Sequence, residues 1–158
     1  METILLIEDN IDILENLTEY LELEGYKVIT ANNGKSGVQL AKVFAPDLII
    51  CDTLMPEMGG HEVLRLLMEK TATRQIPFIF STSNSENVDR EEALRLGADD
   101  YIIKPFEVEA LLKIVRTWLK SGSTRVNGEL TNSAENRNGS GLTAMLFNKP
   151  TAGLVEMA

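Results

Sequence analysis

Four charged residues lie where apolar runs end: Glu8 and Asp9 after Thr3–Ile7, Asp52 after Asp47–Cys51, and Lys104 after Tyr101–Ile103. Three carboxylates brought together repel one another unless a cation joins them. A lysine across the cleft suits a doubly charged anion. The set points to a site for Mg2+ and a phosphoryl group. Mg2+ wants an octahedron of oxygens and usually keeps some waters, so few protein ligands suffice. Hydroxyls stand in a matching place, as Ser81-Thr82-Ser83 after the run Pro77–Ser81.

These residues converge only if the intervening chain folds as alternating strands and helices. Thr3–Ile7 is continuously apolar, as expected of a strand covered on both faces. A helical stripe of Ile11, Leu14, Leu17 and Leu21 follows and stops at Gly25. Tyr26–Thr30 reads as a second strand, and Gly37, Leu40, Ala41 and Phe44 as a second helix before Pro46. Asp47–Cys51 and Glu62–Lys70 make the third pair, and Pro77–Ser81 and Glu86–Leu96 the fourth, closing at Gly97. Tyr101–Ile103 is a fifth strand, and the last helix carries Leu111, Leu112, Val115, Trp118 and Leu119. Short connections between five such units predict an α/β fold with a doubly wound parallel sheet. Ligands of such sheets bind outside the carboxyl ends of the strands, where strand order reverses. Glu8, Asp9, Asp52, Ser81–Ser83 and Lys104 all fall on that edge. Acids after strands often cap helices, but capping does not explain the joint arrangement.

Composition bounds the rest. The 158 residues suffice for one packed domain with an appendage, and 44% apolar and 25% charged residues are ordinary for a globular chain. No apolar run approaches the roughly 20 residues of a membrane helix. The start Met1-Glu2 lacks the basic region of a secretory signal, and a single cysteine, Cys51, allows no internal disulfide. Both features suit a cytoplasmic protein. The net charge of −9 argues against broad attraction to nucleic acid or anionic membrane. Residues 121–158 hold three bases and three acids, so the whole excess belongs to residues 1–120. The composition also changes there, to SGSTRVNGELTNSAENRNGSG. A domain is therefore expected over 1–120, followed by a Gly/Asn/Ser-rich tail over 121–158, flexible or weakly docked. Its apolar patch, Leu142–Phe147, precedes Lys149-Pro150 and is too short and too little basic for a helix-turn-helix.

On four motifs in order, the chain resembles the receiver domain of bacterial two-component response regulators, over about residues 1–120. The motifs are Ile7-Glu8-Asp9-Asn10, Asp52 to Gly60 (DTLMPEMGG), Phe80-Ser81-Thr82-Ser83, and Gly97 to Phe106 (GADDYIIKPF). The resemblance implies a flavodoxin-like (βα)5 fold with strand order 2-1-3-4-5 and a signalling phosphoacceptor rather than an enzyme. Asp52 would take a phosphoryl group from the phosphohistidine of a histidine kinase or histidine phosphotransfer protein. Asp9, Asp52 and the backbone carbonyl of Leu54 would hold Mg2+, and Glu8 would act through water. Lys104 would pair with a phosphoryl oxygen, aimed by a cis bond to Pro105. Thr82 would move inward onto the phosphoryl group, and Tyr101 would follow from solvent to interior, reshaping the face of the fourth helix, fifth strand and last helix. A stand-alone receiver is implied, signalling to an unknown downstream protein, with a homodimer on activation as one form of output.

Some positions depart from the family's usual residues. Gly59 stands where Asp or Asn is common, Ser83 where a small apolar residue is common, and Leu54 and Asn84 occupy sites that influence acyl-phosphate lifetime. His61 and Cys51 are expected as a surface residue and a buried small side chain, and Met55, Met58 and Met68 as loop and core packing. Three other functions remain as alternatives. A receiver-like module that binds partners without phosphorylation is one. A Mg2+-dependent phosphohydrolase of the haloacid dehalogenase type needs a second acid where Leu54 stands. A flavin carrier needs a phosphate loop where Glu8-Asp9 stand. Asp9 to Asp12 resemble a calcium loop, but Leu14 holds the position of its glycine.

Overall fold

The computed structural model describes residues 1–83, 91 and 94–119, together with the backbone of two further strands, Ser123–Val126 and Glu129–Asn132. Strands β1 (Thr3–Ile7), β2 (Lys27–Ala31), β3 (Leu48–Asp52), β4 (Phe78–Ser83) and β5 (Asp100–Lys104) form one parallel sheet in the order β2-β1-β3-β4-β5. The strand order expected from the resemblance is the observed one. It reverses between β1 and β3, which puts the ends of those two strands at a topological switch point.

Helices α1 (Ile11–Leu23), α2 (Gly34–Phe44), α3 (Gly60–Met68) and α4 (Val108–Trp118) cover both faces. The helix read from Glu86–Leu96 lies largely outside the described residues. Partners show which face each helix covers. The rings of His61, at the start of α3, and Phe80, on β4, meet edge to face at 5.0 Å. Gly37 of α2 lies against Ile7 so closely that a Cβ there would overlap the isoleucine Cδ1. Trp118 of α4 donates its indole N–H to Asp100 at 3.1 Å on the opposite face, and Arg116 ties α4 to Glu24 at the end of α1. The central strands are buried throughout, from Ile4–Ile7 and Leu48–Asp52 to Phe78–Ser81. That is the physical reason their sequences are continuous rather than alternating apolar runs.

Helix boundaries follow local chemistry. The side chains of Asn10 and Asn33 accept from the Ile13 and Ser36 amides and open α1 and α2. Past α1, Gly25 adopts φ +95, a left-handed turn that favours glycine. The expected stripe of α1 holds for Leu14, Leu17 and Leu21, but Ile11, the first residue of the helix, is exposed. On α2 the buried set is Gly34, Gly37, Val38 and Ala41, and Phe44 faces outward. All five apolar residues read on the last helix are buried.

Beyond residue 120, β6 (Ser123–Val126) and β7 (Glu129–Asn132) pair as an antiparallel hairpin, where the sequence reading placed only linker. The overlooked signal is the Asn127-Gly128 pair between two short runs, the dipeptide that two-residue hairpin loops favour. The apolar patch Leu142–Phe147 and Lys149-Pro150 lie outside the described residues.

Candidate phosphoacceptor site

The carboxyl ends of β1, β3 and β5 bring Glu8, Asp9, Asp52 and Lys104 together, as their spacing in sequence required. One carboxylate oxygen from each of Glu8, Asp9 and Asp52 lies within 4.8 Å of the other two. Glu8 and Asp52 are buried, at 4% and 8% exposure, whereas Asp9 is exposed. The Lys104 ammonium pairs first with Glu8, at 2.7 Å from Oε2, and stands 3.5 Å from Asp52 Oδ1. Glu8 Oε1 also accepts from the Asn10 amide at 3.1 Å. The lysine that sequence assigned to the anion is thus held by the least exposed carboxylate of the cluster.

One ammonium does not balance three carboxylates here. Burial pushes the Asp52 carboxyl up to about 7, Lys104 opposes that rise, and Glu8 and Asp9 add to it. The deficit of positive charge fits a divalent cation, and the all-oxygen donor set suits a hard ion such as Mg2+.

Beside the acids, β3 and β4 bring hydroxyls together. The Thr53 hydroxyl donates to Thr82 Oγ1 at 3.2 Å, a contact the sequence reading missed. The only sequence signal was a second hydroxyl residue directly after Asp52. Thr82 itself is half-buried. The Lys104–Pro105 bond is cis. Tyr101 is buried at 6% exposure and occupies the interior, the position it was expected to reach only on activation. Leu54 is exposed at 65%, so its side chain stands clear of the acids. Asn84 lies outside the described residues.

The loop between Asp52 and α3 is held by the close approach of Gly60. A Cβ there would overlap the Asp52 carbonyl oxygen and lie 3.0 Å from a Phe80 ring carbon. Gly59 opens α3 without a side-chain cap. His61 departs from the expected surface role. It is half-buried against Phe80, and its Nε2 has no hydrogen-bond partner. Cys51 is fully buried, and desolvation raises its thiol well above the ordinary value. Met55 is buried, and Met58 and Met68 pack against the core. Asp99 and Asp100, not singled out from sequence, serve the frame: Asp99 accepts from the Phe78 amide at 2.8 Å and Asp100 from Trp118.

The chain is similar to known proteins in both sequence and fold. A family model described as the response regulator receiver domain matches residues 4–116. The response regulator ArlR of Staphylococcus epidermidis is 40% identical over 124 residues, which are 76% of this chain and 53% of that protein. The chain spans about half the length of several curated relatives it matches. Protein PilH of Pseudomonas aeruginosa is 36% identical over 119 residues, covering 75% of this chain and 98% of PilH. Among solved structures, Vibrio cholerae chemotaxis protein CheY4 superposes with a TM-score of 0.72 at 29% identity, covering 75% of this chain and 99% of CheY4. The receiver domain of the sensor histidine kinase PA1611 from Pseudomonas aeruginosa, solved with magnesium in its active-site cleft, gives a TM-score of 0.70 at 32% identity. It covers 76% of this chain and 98% of that one. With the fold, the strand order and the sequence match in agreement, the chain belongs to the response regulator receiver family.

Proposed function

We propose that Asp52 is the phosphoacceptor of this receiver and takes its phosphoryl group from a phosphohistidine on a histidine kinase or histidine phosphotransfer protein. The observation that carries the reading is the clustering of Glu8, Asp9 and Asp52 oxygens within 4.8 Å, with the Lys104 ammonium 3.5 Å from Asp52. An Asp52 oxygen attacks phosphorus, the P–N bond breaks, and its electron pair returns to the imidazole. The product is an acyl phosphate on Asp52. Glu8 holds Lys104 at the rim of the cleft, where the ammonium meets an incoming phosphoryl oxygen as a point charge. Asp9, Asp52 and the Leu54 carbonyl would hold Mg2+, with Glu8 acting through water. Bound there, Mg2+ offsets repulsion between the carboxylates and the phosphoryl group. The PA1611 receiver, with magnesium in its cleft, supports this assignment.

The signal leaves through Thr82 and Tyr101. A phosphoryl group adds nearly two negative charges and new acceptor oxygens, and the Thr82 hydroxyl, released from Thr53, would move inward to donate to one of them. Phosphorylation would then hold Tyr101 in the inward position it already occupies here, and a downstream protein or a second copy of the chain reads the face around β5 and α4. The only activities expected are uptake of a phosphoryl group and its loss by hydrolysis.

Labelling with acetyl phosphate, read by intact mass with and without Mg2+, tests the assignment. One phosphoryl adduct, dependent on Mg2+ and lost in Asp52→Asn, is the expected result. If neither acetyl phosphate nor a phosphorylated kinase labels the chain, it is instead a module that binds partners without phosphorylation.

A further inference from the structure

We propose that Ser81 supplies a second hydroxyl to the phosphoacceptor site, donating to the Asp52 carboxylate from within the sheet and shortening the life of the acyl phosphate. This rests on the phosphoacceptor reading of Asp52. Ser81 is the register partner of Asp52 in the β3–β4 ladder, so the two side chains leave the same face of the sheet side by side. The ladder is held firmly there, with the Thr53 amide donating to the Ser81 carbonyl at 3.1 Å. Ser81 is 2% exposed, and its Oγ has no hydrogen-bond partner. A buried hydroxyl normally has one, because leaving it unpaired costs free energy.

The neighbours on that face decide what the hydroxyl can reach. Across β5 stands Ile102, and one pleat back on β4 stands Ile79, both fully buried and apolar. Ser83 is one pleat further on, about 7 Å along the strand. Of the two residues paired directly with Ser81, Asp52 and Ile102, only Asp52 is a charged acceptor; Asp100, diagonal on β5, already accepts from the Tyr101 amide and Trp118. Lys104 approaches Oδ1; each carboxylate oxygen has two lone pairs, so Oδ2 can accept from Ser81 beside the Mg2+ that Asp52 would hold. Side chains directly opposite on neighbouring strands stand about 5 Å apart at Cβ, a span that a rotation of Ser81 about χ1 closes to a hydrogen bond.

The consequence follows from charge. A donor at the carboxylate stabilises the free anion more than the acyl phosphate, whose linked oxygens carry less charge. In hydrolysis, water attacks phosphorus and the bond from phosphorus to the Asp52 oxygen breaks. The electron pair returns to the carboxylate, a water proton passes to solvent, and inorganic phosphate leaves. Ser81 stabilises the departing carboxylate and so speeds this step.

The decay of the acyl phosphate, measured after removal of acetyl phosphate, tests the role in wild type, Ser81→Ala and Ser81→Thr, with the melting temperature recorded for each. The expected result is a lifetime longer by roughly three- to tenfold in Ser81→Ala, and near wild type in Ser81→Thr, which keeps the hydroxyl. A merely buried, unused hydroxyl would give a higher melting temperature in Ser81→Ala with an unchanged lifetime, and that overturns the proposal. So does a threonine variant that decays as slowly as alanine. A wild type that takes no phosphoryl group overturns this role together with the phosphoacceptor reading, whereas labelled variants with equal lifetimes overturn this role alone.

Discussion

Asp52, the proposed phosphoacceptor, also strains the fold. Its carboxyl ordinarily titrates at 3.8 and is pushed up to about 7 in the folded chain. Between those values the native state binds a proton that the unfolded state releases. Stability is therefore full below the unfolded value and falls as pH rises through about 7. Without metal, Asp52→Asn should be more stable than wild type at pH 8 by about 1–2 kcal/mol, less than the full shift implies because the carboxylate is partly solvated. The gap should close toward pH 4. Urea unfolding across this range measures it, and a gap independent of pH would contradict the burial account. Added Mg2+ should raise the melting temperature of wild type and not of Asp52→Asn, since only the former keeps all three carboxylates of the proposed Mg2+ site. Asp52, Glu8, Asp9 and Lys104 were legible in the sequence because each ends an apolar run. The Thr53–Thr82 contact was not, because it depends on which residues of β3 and β4 face each other.

Among the elements, the start of α3 sets the shape of the site. Gly60 lets the helix begin against the Asp52 carbonyl and the Phe80 ring, and the obstructing atom is backbone, which cannot rotate away. Gly60→Ala should therefore cost about 1–3 kcal/mol and slow labelling by acetyl phosphate, since α3 must shift away from the strand that carries Asp52. Thermal melts and the labelling rate measured together check this, and a stable variant with normal labelling would show that the loop yields freely. Strands and helices were readable from their apolar periods, with ends misplaced by at most three residues. The phase of α2 and the outward Ile11 were less legible. Both depend on where a helix meets the sheet edge, which periodicity alone does not locate. His61 was misjudged for the same reason. Its position beside Gly60 hid the Phe80 ring that covers it.

For the molecule as a whole, the apolar core of the described residues runs from Ile4 to Leu119. Every strand of the five-stranded sheet contributes residues to that core. The hairpin of β6 and β7 forms its own sheet. Removing residues 121–158 should therefore leave the melting temperature within about 4 °C, the shift expected for less than 1 kcal/mol in a domain of this size, and should preserve Mg2+-dependent labelling. A loss of cooperative unfolding in the truncated chain would assign the tail a structural role in the domain. The excess negative charge stays with residues 1–120, and it extends into the Lys104 cleft, where one ammonium faces three carboxylates.

The sequence by itself determined the α/β class, the parallel sheet, the sheet edge that carries the candidate site and the four charged residues that meet there. Each of these follows from periodicity and from what ends an apolar run, both local properties of the chain. Tertiary structure decided the pairing of Lys104 with Glu8 ahead of Asp52, the interior position of Tyr101, the contact of His61 with Phe80 and the placement of Ser81 beside Asp52. Those depend on strand register and on which atoms compete for space and charge in the packed cleft. Residues far apart in the chain settle that competition only once the sheet has brought them together.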